Sequence, residues 1–100
     1  MSIYYILEGK TPVLADLITW AKWFETSGDI RIVAKTEVGS TTVSTVFLGL
    51  DHSFGVRPPM LFETMIFRNG AGDDQWRCST WDQAEDQHAE AVEIVRKDIS

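Results

Sequence analysis

Asp51, His52 and Arg57 place a carboxylate, an imidazole and a guanidinium on one polar stretch of the chain. Binding residues gather on loops of this kind, and an arginine there can pair with a phosphate or carboxylate. The plainer alternative is a solvated turn in which Asp51 accepts backbone hydrogen bonds. Glu63 stands among apolar neighbours in Leu61-Phe62-Glu63-Thr64-Met65, where a carboxylate needs a partner. Its strand predicts a face shared with Ser44 and Lys35, so an internal ion pair is expected; a ligand contact or general-base role is the alternative. His88 falls within the apolar stripe of the last helical segment. It reads as a core histidine hydrogen-bonded to a neighbour, or as one facing a pocket between helix and sheet with Asp51 and His52 near its rim.

Other spacings fail on inspection. Glu85-Asp86-Gln87-His88 has the Glu-x-x-His form of di-iron bundles, but those need a second such motif and further carboxylates on a four-helix core. His88-Ala89-Glu90 has the His-x-Glu step of zinc deaminases without the Pro-Cys-x-x-Cys that completes the site. One cysteine and two histidines make no zinc set. No GxxxxGK[ST], GxGxxG or GxSxG is present. Cys78 has no base near it in sequence to generate a thiolate. No catalytic residue, metal ligand or cofactor is therefore assigned, and the chain leans away from an enzyme.

The elements that must carry these residues follow from hydrophobic periodicity. Residues 3–7 read as a strand apolar on both faces, suited to an inner position. Thr11-Pro12 reads as an N-cap and first helical residue, opening a helix that runs to about Glu25 and stops near Gly28. Leu14, Leu17, Ile18, Ala21 and Phe24 form its stripe, and Val13, Trp20 and Trp23 widen the apolar arc to roughly 220°, about double what a surface helix needs. Something else must cover that flank, so Trp20 and Trp23 are the expected partner-binding surface. Residues 30–38 alternate, and Gly39-Ser40 predicts a two-residue hairpin pairing Val38 with Thr41, Thr36 with Val43, Ala34 with Thr45 and Ile32 with Phe47. Residues 51–59 read as a loop, 60–68 as a strand, 69–74 as a flexible turn and 75–79 as a short strand. Thr80 and Gln83 fit a capping box. The final helix presents Trp81, Ala84, Ala91, Val92, Val95 and Ile99 on one side, with Asp82, Asp86, Glu90 and Glu93 opposite. The order β-α-β-β-β-β-α predicts a single α+β domain over residues 1–100, an antiparallel sheet of about five strands with both helices on one face.

Bulk properties narrow the partners. The net charge of −6 is uneven: residues 1–72 carry −1 and residues 73–100 carry −5. Direct nucleic-acid binding needs a basic footprint, which is missing. No apolar run reaches the ~18–20 residues that span a bilayer, and MSIYYILEGK shows neither a basic leader nor a long apolar stretch. A lone cysteine suits a reducing compartment. A cytoplasmic protein without membrane attachment is expected.

From Thr36 onward the chain resembles a family of small phage and prophage proteins. The segments are Val43-Ser44-Thr45-Val46-Phe47-Leu48-Gly49-Leu50-Asp51-His52, then Leu61-Phe62-Glu63-Thr64-Met65-Ile66-Phe67, then Ser79-Thr80-Trp81 leading to Ala84-Glu85 and His88. The resemblance covers about half the chain and implies a phage-accessory role in a host cytoplasm, with no activity to carry over. Three function classes follow. The first is a non-enzymatic inhibitor of a host protein such as a defence complex, in the manner of anti-CRISPR proteins, docking through Trp20, Trp23 and the acidic Asp86, Glu90 and Glu93. The second is a binder of a small molecule such as a nucleotide signal, using Asp51, His52, Arg57, Ser44, Glu63 and His88. The third is a small enzyme pairing His52 or His88 with an acid. A homodimer is a further expectation for the tryptophan surface.

Overall fold

The two-residue turn Gly39-Ser40 sets the register of the first hairpin of the larger sheet. In the computed structural model, which describes residues 3–51, 53 and 57–99, Gly39 has φ +62°, the left-handed first position of a II′ turn that an L side chain resists. It joins β3 (Ile32–Val38) to β4 (Thr41–Phe47) with Val38 opposite Thr41, Thr36 opposite Val43 and Ala34 opposite Thr45, as the alternation predicts. The register then shifts at Val33, so Ile32 faces Val46 and not Phe47. The bulge turns Val33 into the core beside Phe47 and sends Ile32 outward. Strand β5 (Phe62–Arg68) follows after the 51–61 connection, and β6 (Ala71–Cys78) completes an antiparallel sheet in the order β3-β4-β5-β6. The expected six-residue loop 69–74 is replaced by a tight Asn69-Gly70 turn. Both residues have positive φ, which this pair accepts readily, and pairing resumes at Ala71. A bulge opposite Ile66 and Phe67 absorbs the extra residue of β6.

The N-terminal quarter departs furthest from the sequence reading. Residues Tyr5–Glu8 (β1) and Thr11–Leu14 (β2) form their own antiparallel hairpin around Gly9-Lys10, so Thr11-Pro12 belongs to a strand and opens no helix. Pro12 lies opposite Leu7 on β2, a lone edge strand where its missing N–H breaks no ladder. The chain then turns, and α1 (Leu17–Ser27) starts under the cap of Asp16, whose carboxylate accepts the Thr19 N–H at 2.7 Å. Gly28, at φ +45°, ends it where expected, and a 3-10 turn (Gly28–Arg31) leads into β3. β1 is not an inner strand. It touches the larger sheet through the Tyr4–Leu50 bridge, with Tyr5 N–H donating to the Gly49 carbonyl and Asp51 N–H to the Ile3 carbonyl, both at 2.9 Å.

The second helix, α2 (Trp81–Ile99), begins with the capping box: Gln83 N–H donates to Thr80 Oγ1 at 3.1 Å, and Gln83 Oε1 accepts from the N–H groups of Ser79 and Thr80. It lies across the sheet face carrying Thr41, Val43, Thr45 and Phe47. Its buried Ala84, Ala91, Val92 and Val95 match the expected stripe, and the side chain of Ile99 lies outside the described set. Two apolar clusters result. One joins Tyr5, Leu7, Phe47, Leu61, Phe62 and Ala84; the other joins Val43, Ile66, Ala91, Val92 and Val95. α1 reaches the same face at its end, where Trp23 meets Phe47 edge-on at 5.8 Å. The molecule is thus an α+β structure with two helices and antiparallel strands, divided four and two among the described residues.

Candidate functional site

The phase of α1 decides what the protein offers to a partner. With the helix starting after Asp16, Trp20, Trp23, Phe24 and Ser27 turn inward. Trp20 stacks on Tyr4 at 5.1 Å and on Phe24 at 4.8 Å, and its indole lies so close to Gly49 that a Cβ there would sit 2.9 Å from Nε1. Trp23 contacts Phe24 and Phe47. The Arg31 guanidinium lies 3.9 Å over the Phe24 ring while its Nε donates to Ser27 Oγ at 2.8 Å, closing this layer. The tryptophans nominated for a partner are therefore half-buried in the protein's own packing.

The surplus apolar surface exists, but on the other side. Leu14, Leu17 and Ile18, expected in the core stripe, are 60%, 54% and 68% exposed, and Ala21 next to them is exposed as well. They form a ridge running from the end of β2 over the first turn of α1. A hollow of about 450 Å³ lies against Asp16, Leu17, Ile18 and Thr19. Covering the exposed parts of the three large side chains would yield roughly 3–5 kcal/mol, taking ~1.5–3 kcal/mol for full burial of each.

The residues nominated for a small ligand are distributed over separate surfaces. Asp51 Oδ1 accepts the Ser53 N–H at 2.8 Å and the Met60 N–H at 3.2 Å, the turn-forming role. Burial pushes its carboxyl up, but these hydrogen bonds and the charge of Arg57 outweigh burial and hold it below the usual carboxylate range. Arg57 is exposed, and His52 lies outside the described residues. Ser44 and Glu63 occupy the sheet face turned away from α2, where Glu63 Oε2 accepts from Arg77 Nε at 3.0 Å across the β5–β6 pair. An ion pair is present as expected, but its cation is Arg77 of the neighbouring strand and not Lys35. His88 is on the opposite side of the sheet, 6% exposed.

His88 sits in a polar layer between the two apolar clusters. Its Nδ1 lies 2.8 Å from Thr45 Oγ1 and its Nε2 2.9 Å from Thr36 Oγ1. Thr45 Oγ1 is 2.7 Å from Thr64 Oγ1, which accepts from Gln87 Nε2 at 3.0 Å, and Gln87 also donates to the Trp76 carbonyl at 3.1 Å. Burial lowers the His88 pKa, so the imidazole is neutral at pH 7. This is the hydrogen-bonded core histidine expected from its stripe, and among the described residues its hydrogen-bond partners are the threonine hydroxyls, with no carboxylate beside it. Periodicity had no means of finding Thr36, Thr45 and Thr64 as its partners; they become neighbours only once the strand register is known.

The acidic residues of α2 are exposed. Asp86 and Glu90 border an open groove of about 400 Å³ beside the end of β6, with Met60, Arg77, Cys78 and Gln83, while Glu93 lies 3.7 Å from Arg96. Burial raises the Cys78 thiol pKa, so it stays protonated, and its Sγ donates to the Thr80 carbonyl at 3.9 Å. Among the described residues no three His, Cys, Asp or Glu side chains converge as a metal site, and no helix is long and apolar enough to cross a membrane. Comparison with known protein families, with curated proteins and with solved structures finds no match for this chain.

Proposed function

We propose that the protein acts by non-enzymatic binding, docking a partner protein on the Leu14–Leu17–Ile18 ridge. The observation that carries this reading is a helix apolar on both sides: aromatics grip the fold and aliphatics face out. Leu17, Ile18 and Ala21 share the outward side of α1 at i, i+1 and i+4, and Leu14 at the end of β2 extends that apolar surface past the helix start. The phage-accessory setting implied by the sequence resemblance makes the partner a protein of the host cytoplasm, with a defence complex as the leading class and inhibition by occlusion as the mechanism. The acidic Asp86, Glu90 and Glu93 favour a basic surface on such a partner. The small-ligand and enzymatic readings receive less support, because Asp51, Glu63 and His88 lie on three different surfaces.

The test is affinity capture from host lysate with the tagged protein, followed by native mass spectrometry. Wild-type protein and the Glu63→Ala variant are expected to retain one stoichiometric host protein, and the Leu17→Asp/Ile18→Asp variant to lose it with its unfolding midpoint unchanged. Capture that survives the ridge substitutions refutes the docking site. A retained small molecule in place of a protein refutes the function.

A further inference from the structure

The hydrogen-bond chain through His88 has a direction. Gln87 Nε2 can only donate, so Thr64 Oγ1 accepts from it. The Thr64 hydroxyl then donates to Thr45 Oγ1, the Thr45 hydroxyl donates to His88 Nδ1, and His88 Nε2–H donates to Thr36 Oγ1. Every proton in this order has an acceptor except that of the Thr36 hydroxyl, which is only half-buried and within reach of solvent, whereas Thr64 is fully buried. The opposite order puts the proton on Nδ1 and sends the Thr45 hydroxyl to Thr64, leaving the Thr64 hydroxyl with no acceptor in the chain. A neutral imidazole protonated on Nε2 is the form that fits.

A second ring proton forces the unfavourable order. Imidazolium has two donors and no acceptor. Nδ1–H then points at Thr45 Oγ1, and both threonine hydroxyls must reverse toward Gln87, which presents N–H at that point. Among the described residues no anion compensates the new charge. On α2, Glu85, Asp86 and Glu90 are exposed. On β3, Lys35 and Glu37 alternate with Thr36 and face the other side of the sheet. β4 has no titratable residue. On β5, Glu63 is on the other side with Arg77, and Arg68 at the far end is bound to Asp74 of β6 and to Asp98. Cys78 of β6 lies at the opposite end, beside Thr80.

We propose that His88 is an acid-sensitive latch on α2: neutral, it joins the helix to β3, β4 and β5; protonated, it reverses the hydroxyl chain and frees the helix from the sheet. Because the folded state holds the second proton less tightly than the unfolded chain, stability is complete above the free-imidazole value of 6.5 and is lost as pH falls toward the folded value.

Long-range proton–nitrogen NMR on the intact protein, titrated downward from pH 7.5, reads the latch directly. The expected neutral signal is the Nε2–H tautomer, with a midpoint below 6.5. In that window the unfolding constant should rise by up to about tenfold per pH unit, the effect of one proton. Amides of Ala91 and Val92 should exchange faster there while those of β4 and β5 stay protected. An Nδ1–H tautomer, a midpoint at or above 6.5, or exchange that rises equally in α2 and the sheet overturns the proposal. The Gln87→Glu variant adds a test of the chain itself. It replaces the donor at the end with an acceptor, so reversal becomes possible and the His88 midpoint should move up; an unmoved midpoint overturns the chain.

Discussion

Replacing Gly49 with alanine tests whether α1 is seated by the contact described here. Gly49 has φ +77°, so a Cβ costs about 1–2 kcal/mol from left-handed backbone strain alone. The added carbon would also stand 2.9 Å from Trp20 Nε1 and 3.2 Å from Phe24, inside normal contact, and overpacking of this kind costs about 1–3 kcal/mol. The sum is about 2–5 kcal/mol. Gly9→Ala is the control, since Gly9 has φ +63° with nothing within 4 Å of its Cβ position, leaving the strain of about 1–2 kcal/mol. Urea unfolding followed by tryptophan fluorescence and far-ultraviolet circular dichroism gives both values. Gly49→Ala should lose at least about fivefold more in folding equilibrium than Gly9→Ala, the lower end of the overpacking cost. Trp20 also predicts the spectrum. Its indole N–H is buried without an acceptor among the described residues, so displacement of the ring hydrates it and shifts native emission to the red. Equal losses for the two alanines, with unchanged emission, would refute the claim that Gly49 is the seat of Trp20.

The remaining expectations concern single contacts. Thr64→Val leaves Gln87 and the buried Thr45 hydroxyl short of a partner and should cost about 1–3 kcal/mol in urea unfolding. Thr80→Ala removes the capping-box acceptor for Gln83 N–H and should cost about 1 kcal/mol by the same assay. A double-mutant cycle on Glu63 and Arg77 should give a coupling near 0.2–1 kcal/mol, reduced by salt, because the arginine is partly exposed. Asp51→Asn should flatten the acid limb of stability: the folded carboxyl pKa is depressed, so its contribution is present above the unfolded value near 3.9 and is lost as pH falls through the folded one.

What was legible in the sequence follows the range of the signal. The Gly39-Ser40 hairpin and the Thr80–Gln83 cap were readable because turn and cap chemistry are local, confined to residues two or three apart. For Asp51 and Glu63 the structural alternative was readable, a turn acceptor and an ion pair, because a half-buried carboxylate has few ways to be satisfied; the cation, Arg77, was not. The phase of α1 was misread because Thr11-Pro12 and Asp16 are both sound caps. The choice between them was made by β1, which pairs with residues 11–14 and takes them out of the helix. With Leu14 left in the strand, α1 turned its other side to the sheet, so Leu17, Ile18 and Ala21 became the ridge while Trp20 and Trp23 joined Phe24 in the packing. Ile32 was misassigned because a bulge at Val33 exchanges faces, and a period-two pattern has no mark for one extra residue. The partners of His88 lie 43 and 52 residues from it, beyond any local rule.

The seam between the hairpin and the larger sheet divides the molecule's response to thermal fluctuation. Residues 5–27 close their ladder and helix hydrogen bonds almost entirely among themselves, and beyond the Tyr4–Leu50 bridge they adhere through Trp23 against Phe47 and through Tyr5 and Leu7, buried with Phe47, Leu61, Phe62 and Ala84. Such contacts are not directional in the way a ladder is, so the unit can lift away without unzipping β3 to β6. Its opening would expose Tyr5, Leu7 and one core cluster while leaving the β3–β6 ladders paired, so hydrogen exchange is expected to separate the two parts. Protease sensitivity would concentrate at its borders, near Gly28 and Leu50, before the four-stranded body yields.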